Sequence, residues 1–497
     1  MTFLRRSLMG SERESQSQPQ PQTTTHNAQS PAHTGTPAES PTHTRTPAEA
    51  RAQSQAQQYV DPRLEAAARV VTEWAGQDPE KSAYPGAVTV VVQNGHVLLR
   101  LAVGHAWAAQ LAPPVQPMTV AHVFDVASIT KTVATATTTL ILLEQGRISL
   151  DDTVDTFLPF LRDSALGQVK VWHLLTHTAG FGEVPPLFEL GYGDGRGVDY
   201  GYVDGRVCDS GCDSGCDSNA PAHSPHPTPG RRPVGNLRPT PADLLARVPL
   251  RWAPGTHVQY SCKGYIVLGQ LLEAASDTPL DEFARRHIFE PLGMHTTSYM
   301  PLGSAIPEPA RGLLVPSEPR SATPRGQALR AAWIQRGLWL DAWRDRHIAG
   351  DVPVGIVHDE NAAWLGGVSG NAGLFSTADD LARFGQMWLD HGLTPDGRRL
   401  LSPATVELAT CNYTGHLPGG DNRGLGWQLP SPDTSFGDYA PDGSLGVTGF
   451  SGTGLWVVPK LNVVAVLLTN RLQFTRRNDH ISRVRRLFLN AVLASLS

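Results

Sequence analysis

The two ends of the foldable part of this chain carry one signature, and the long stretch between them carries another. Near the start, Ala87–Val92 and Val97–Leu101 are apolar, mostly β-branched runs flanking Asn94-Gly95. That residue pair suits a two-residue hairpin turn, whose central positions both need positive φ. Near the end, Gly454–Val458 and Val463–Leu468 form a second such pair across Pro459–Asn462. A helix with Ile481, Val484, Phe488 and Val492 on one face follows. At the other end a helix starts at Asp61-Pro62, a capping residue followed by a first-turn proline, and aligns Leu64, Ala68, Val71 and Trp74. Between these ends the apolar spacing is mainly helical, clearest over Trp172–Thr178, Tyr265–Ala275 and Thr377–Leu389. The pattern predicts one sheet assembled from both chain ends, with a helical lobe inserted between them.

Two stretches fall outside this pattern. Residues 1–59 are Ser, Gln, Pro, Thr and Ala with almost no large apolar residue, and they contain the near-duplicate SPAHTGTPAE and SPTHTRTPAE. Such a leader cannot bury enough surface to offset the entropy of ordering, so disorder is expected there and the folded domain spans 60–497. About 191–236 is Gly-, Asp- and Pro-rich and reads as a flexible surface insertion. It places Cys208, Cys212 and Cys216 four residues apart in tandem repeats, a spacing that lacks the paired C-x2-C of a zinc site. Five cysteines, an odd number, argue against a disulfide framework. His173 and His177 share a helix face, but Leu174 follows the first where a zinc hydrolase needs Glu, so structural roles are expected and no metal.

Charge excludes further classes. The net charge is −5 with 18% charged residues, which is no footprint for nucleic acid. No run approaches the ~18 apolar residues that read as a membrane span. The N-terminus has basic residues but no apolar core of an export signal, so a cytoplasmic location is the default expectation.

The sharpest chemical signal is Phe124-Asp-Val-Ala-Ser128-Ile-Thr-Lys131, the single Ser-x-x-Lys of a chain with five lysines. Ser128 stands where an extended segment turns helical, among unpaired N–H groups, and Lys131 three residues on shares its face. A serine hydroxyl is a weak nucleophile until a neighbour takes its proton. Lysine can do so only as the neutral amine, which requires about 4–5 kcal/mol of differential stabilisation that burial can supply. The nearly uncharged flanks of Lys131 suit such burial.

Around this motif the sequence resembles the class C β-lactamase-like serine hydrolases, a group that includes DD-peptidases and family VIII carboxylesterases. The resemblance rests on five blocks in order: the Ser128 block, His173-Leu-Leu-Thr-His-Thr-Ala-Gly180, Pro254-Gly255 with Tyr260-Ser-Cys-Lys-Gly-Tyr265, Gly367–Thr377, and Val447-Thr-Gly-Phe-Ser-Gly-Thr453. It implies an α/β fold of the β-lactamase/DD-peptidase kind, with an antiparallel sheet from both chain ends facing a mainly helical lobe and the site in between. It also implies Ser128 as acylated nucleophile, Lys131 as its base partner and Tyr260 as proton relay. The Ser128 and Phe450 backbone N–H groups would form an oxyanion hole, and Cys262, Val447, Thr448 and Gly449 would contact substrate. No cofactor is implied.

Three departures narrow the expectation. Cys262 stands where the family holds an acyl amide with Asn, Val447 where it usually has Lys or His, and Asn371 where it has His. A buried cationic contact to a carboxylate commonly contributes about 2–5 kcal/mol to recognition, so losing it weakens the case for penicillin or cell-wall peptide. The expected activity is a metal-free serine hydrolase, esterase-like, on a small ester, amide or peptide. A penicillin-recognising DD-peptidase or β-lactamase and a non-catalytic binding relative are the alternatives. Lys263 is expected to be solvated rather than a substitute for the missing charge.

Overall fold

The computed structural model describes residues 58–111, 115–184, 186–190, 201–203, 206–208, 240–306, 310–319, 322–335, 352–431 and 434–497. Residues 1–57 of the expected leader and most of the 191–236 insertion, Cys212 and Cys216 included, lie outside them, whereas Tyr59, expected in the leader, pairs with Arg100 in the sheet. Within the insertion, Gly201–Val203 pairs antiparallel with Arg206–Cys208.

The main sheet comes from both chain ends. Its strands are β1 (Tyr59–Val60), β2 (Gly86–Gln93), β3 (His96–Gly104), β7 (Leu445–Thr448), β8 (Gly454–Val458) and β9 (Val463–Thr469), in the spatial order β1-β3-β2-β9-β8-β7. All pairs are antiparallel, and β2 meets β9 at the centre with Val90 opposite Val466 and Val91 opposite Ala465. Asn94 and Gly95 both have positive φ, as their hairpin requires. The two hairpin turns dock on each other, since the Asn94 N–H donates to the Asn462 carbonyl at 3.0 Å and Asn462 Nδ2 donates to Asn94 Oδ1 at 2.9 Å.

Both faces of the sheet are covered, so its strands are apolar throughout. On one face Val91, Leu99, Trp456, Ala465 and Leu467 pack on helices α1 (Glu65–Glu73) and α7 (His480–Leu496), through Leu64, Val71, Val484, Phe488 and Val492. Ala68 and Trp74 of the expected α1 face are only half-buried. On the other face Val88, Val90, Leu455, Val464 and Val466 meet a core that runs into the helical lobe. Helix α6 (Ala378–Leu389) lies so close to the sheet that a Cβ on Gly385 would stand 2.5 Å from Val464 Cγ1. Thr377 caps α6, its Oγ1 accepting from the Asp380 N–H.

In the helical lobe, α2 (Thr137–Glu144) continues a π-helical segment, Lys131–Ala136, that starts just after Ser128. Helix α3 (Val171–Leu175) is shorter than expected because His177 adopts φ +60° and ends the pattern. Helix α4 (Cys262–Ser276) starts three residues earlier than its apolar periodicity indicated, since Ser261 caps it by accepting from the Lys263 N–H. The short helix α5 (Glu360–Trp364) precedes a small sheet in which β6 (Leu374–Ser376) lies between β4 (Phe124–Asp125) and β5 (Ser298–Tyr299). Strand β4 leads directly to Ser128. No helix of the described residues is long and apolar enough to cross a membrane.

Candidate active site

The turn that carries Ser128 is set by a buried carboxylate. Asp125 accepts from the Ala127 N–H at 2.8 Å and from the His358 N–H at 2.6 Å, and burial raises its pKa. The tight turn drives Ala127 to φ +49°, an uncommon conformation for alanine that the surrounding bonds hold in place. After Ser128 the helix has π geometry over Lys131–Ala136, and two of its threonines bond outward. Thr132 donates to the Gly426 carbonyl at 2.6 Å and Thr135 to the Gly370 carbonyl at 2.7 Å. The Thr-rich run after Lys131 is buried, and Thr132, Thr135, Thr137 and Thr139 are hydrogen-bonded through their hydroxyls.

Lys131 is 3% exposed and all three of its protons are used. Its Nζ donates to Ser128 Oγ at 3.0 Å, to the Asn371 carbonyl at 2.9 Å and to Cys262 Sγ at 3.5 Å. Tyr260 Oη donates to Ser128 Oγ at 2.7 Å. Ser128 Oγ, Lys131 Nζ and Tyr260 Oη thus form one connected cluster drawn from two distant parts of the chain. Burial opposes charge on Lys131, but the neighbouring Cys262 and Tyr260 groups outweigh it and move its pKa upward. The direction of this shift favours the ammonium, against the neutral amine that burial alone would produce.

Tyr260 is 44% exposed on the cleft side, while its other contacts are fixed from behind. The His177 ring lies 4.5 Å from it between ring centres, and His177 Nδ1 accepts from the Ser261 N–H at 3.2 Å. Burial, then the charges of Arg423 and Lys131, hold His177 far below the usual histidine pKa, so it is a neutral acceptor. His173 is held down to about 4 by burial and by Lys170, and its Nδ1 accepts from the Lys170 N–H. These two histidines orient backbone.

The opposite wall is built from main chain. The Phe450 side chain is 48% exposed, and the segment around it is pinned from below. Arg485 Nη2 donates to the Gly449 carbonyl at 2.6 Å and the Thr453 carbonyl at 2.7 Å, and Arg471 Nε donates to the Phe450 carbonyl at 2.9 Å. Ser451 Oγ and Thr453 Oγ1 donate to the Asp125 and Val126 carbonyls, locking this turn to the Ser128 turn. A Cβ on Gly449 would lie 2.4 Å from the Val126 carbonyl oxygen, so only glycine permits that approach. Because the 449–450 peptide is planar and trans, anchoring its C=O on Arg485 points the Phe450 N–H the other way. Among the described residues neither the Ser128 nor the Phe450 N–H donates to another protein group. Burial, and then Arg471, bring Arg485 down to about 9, which leaves it charged at neutral pH.

The remaining residues singled out in the sequence take distinct positions. Half-buried Cys262 turns its sulfur to Lys131. Val447 and Thr448 lie on edge strand β7, opposite Leu455 and Gly454. Gly446 bonds outward to Gln428 with both its backbone groups, so by antiparallel alternation Thr448 also presents its own outward. Asn371 contributes its carbonyl, not its side chain, to Lys131. Sequence reasoning gave no role to Arg423, Arg471, Arg485 or Asp125. No spacing rule links those arginines to Ser128, although Asp125 two residues before a strained turn is a pattern that side-chain capping predicts.

The β-lactamase family profile matches residues 57–489. The chain belongs to the β-lactamase family. It is accordingly a serine hydrolase, as members of this family are. One relative, an N-acetylmuramyl-L-alanine amidase of Bacillus subtilis, is 27% identical over 405 residues, covering 78% of each chain. Among solved structures, a penicillin-binding protein homologue from Caulobacter crescentus aligns over 88% of this chain and 99% of its own, with a TM-score of 0.58 at 20% identity. A family VIII carboxylesterase aligns over 88% and 99%, with a TM-score of 0.57 at 16% identity. Both structures share the fold, with its antiparallel sheet and helices.

Proposed function

We propose that this serine hydrolase works through an acyl-enzyme on Ser128 and prefers small neutral esters. The observation that carries the reading is the double contact on one oxygen: Ser128 Oγ lies 2.7 Å from Tyr260 Oη and 3.0 Å from the Lys131 ammonium. In the reactive arrangement Tyr260 has first lost its phenolic proton to solvent, and Ser128 then passes its own proton to the Tyr260 oxygen as Oγ bonds to the substrate carbonyl carbon. Lys131 stabilises the tyrosyl oxygen while it acts as base. The carbonyl oxygen, now negative, rests on the Ser128 and Phe450 N–H groups, each worth roughly 3 kcal/mol in such a role. Collapse breaks the ester C–O bond, and the proton on Tyr260 goes to the leaving alcohol. Water, deprotonated by the same group, releases the acid and restores Ser128.

Two features support esters over penicillin-like substrates. Val447 brings no cation to the β7 edge for a substrate carboxylate, and the Cys262 sulfur is engaged with Lys131 rather than offering an amide anchor. A second reading, hydrolysis of an amide or peptide, is favoured by the amidase among the relatives and by the outward Thr448 backbone, which suits an extended chain. Hydrolysis of short p-nitrophenyl esters, compared between the parent and Ser128→Ala, tests the proposal. Turnover that disappears in the variant is expected, and equal rates in both would overturn it. A fluorescent penicillin that labels Ser128 faster than a phosphonate ester probe would move the second reading to the front.

A further inference from the structure

The cation that the β7 edge lacks at Val447 has a counterpart elsewhere in the site. Arg423 sits in a turn pinned by its own N–H, which donates to Thr414 Oγ1 at 2.8 Å, and by its carbonyl, which accepts from the Tyr413 N–H at 2.8 Å. The guanidinium is only 12% exposed and pairs with the Asp421 carboxylate, which is 32% exposed. Its Nε is buried without an acceptor. Its Cζ lies 5.7 Å from the centre of the Tyr260 ring, beside Lys131 Nζ at 5.1 Å. Two cations therefore lie over the one ring that exchanges a proton with Ser128.

The other groups around Tyr260 do not cancel them. From the α3 side comes neutral His177, from α4 Cys262 and the buried phenol of Tyr265, and from the Ser128 helix Ser128 and Lys131. Among the described residues, Asp359 acts on Lys131 and Asp421 is paired with Arg423. The reach of Arg423 is visible in its neighbours. After burial its charge is the next cause depressing His177, and with Lys131 it opposes the upward push that burial exerts on Tyr265.

We propose that Arg423 is a positioning residue that acts through Tyr260, supplying the second positive charge that stabilises the Tyr260 phenolate ready to take the Ser128 proton. The inference rests on the reading of Tyr260 as proton acceptor. It moves the missing strand cation from the β7 edge, where it would meet substrate, to a place where it serves the base. A substrate then needs no carboxylate to complete the site.

The test is the pH dependence of two rates: kcat/KM for a p-nitrophenyl ester, and covalent labelling of Ser128 by a fluorophosphonate probe. The acid limb reports the group that must lose its proton before Ser128 attacks. In Arg423→Gln both limbs should move up by about one pH unit, with a rate near neutrality roughly tenfold lower, as expected when an opposite charge within ~6 Å is removed. Arg423→Lys should restore most of the shift. Asp421→Asn keeps the guanidinium and removes its counter-ion, so the limb should move down. An Arg423→Gln profile that is uniformly lower with an unmoved limb would overturn the proposal, because a merely structural arginine would give that result. If Arg423→Gln fails to fold, Asp421→Asn decides, and a limb that stays or moves up refutes the role. Parent protein that labels but does not turn over esters would sink the esterase reading alone, since labelling still carries the Arg423 test. Parent protein that neither labels nor turns over at any pH would sink both.

Discussion

The two walls that meet at Ser128 are built on opposite principles. One wall is made of side chains: Lys131, Tyr260 and Ser128 itself, within 3.0 Å of one another through Oγ. The other is made of main chain, the Phe450 N–H, aimed by carbonyls that Arg485 and Arg471 hold from beneath. The first wall depends on which residues stand at the site. The second tolerates almost any side chain at Phe450 and depends instead on two buried arginines outside the cleft. Chemistry that moves a proton needs a particular functional group, whereas stabilising an oxyanion needs only a fixed dipole.

Mutations at each wall should differ accordingly. Ser128→Ala removes the proposed nucleophile, and ester turnover should fall by more than about a thousandfold, to background. Tyr260→Phe keeps the ring against His177 and loses only the oxygen. The expected loss in kcat is about 10²–10⁴-fold, with little change in the thermal midpoint. A smaller loss would mean that another group takes the proton, and the side-chain wall would be less particular than claimed.

Arg485→Met tests the second wall from a distance. It frees the Gly449 and Thr453 carbonyls and lets the Phe450 N–H drift, so kcat should fall about 10- to 100-fold with Ser128, Lys131 and Tyr260 untouched. Urea unfolding should show a loss of a few kcal/mol, about 1–3 for each carbonyl left unsatisfied. Phe450→Ala should leave kcat within about threefold and act mainly on KM, because the proposed oxyanion contact is backbone. If instead Phe450→Ala lowers kcat as much as Arg485→Met does, the contrast between the walls collapses.

The smallest effect concerns acid stability. His173 is held at about 4 in the folded protein by burial and Lys170, against an ordinary 6.5. Between those values the unfolded chain binds the extra proton, so this group lowers stability as pH falls from about 6.5 to 4 and has no effect above that window. Replacing it with Gln should flatten the fall in stability across that window, measured by urea unfolding at stepped pH. An unchanged slope would mean that His173 titrates alike in the folded and unfolded chain.

The hairpins were legible because each is local: Asn94-Gly95 and the alternating destinations of the Val88–Val92 run need no distant information. The Ser128–Lys131 pair was legible for the same reason, since three residues on a helix start are neighbours by geometry. Boundaries shifted where a side chain intervened, as when Ser261 extended α4 backwards and His177 cut α3 short. The charge state of Lys131 was not legible. It depends on Cys262 and Tyr260, which arrive beside the amine only when α4 packs on the Ser128 helix.

By itself, then, the sequence determined the sheet drawn from both ends, the family and the pairing of Ser128 with Lys131, all carried by local spacing or ordered motifs. Tertiary structure decided which cations surround the tyrosine, what aims the Phe450 N–H and why Lys131 stays charged. These are interactions across space between groups far apart along the chain. Their strength is set by burial and distance, quantities that exist only once the two lobes have packed.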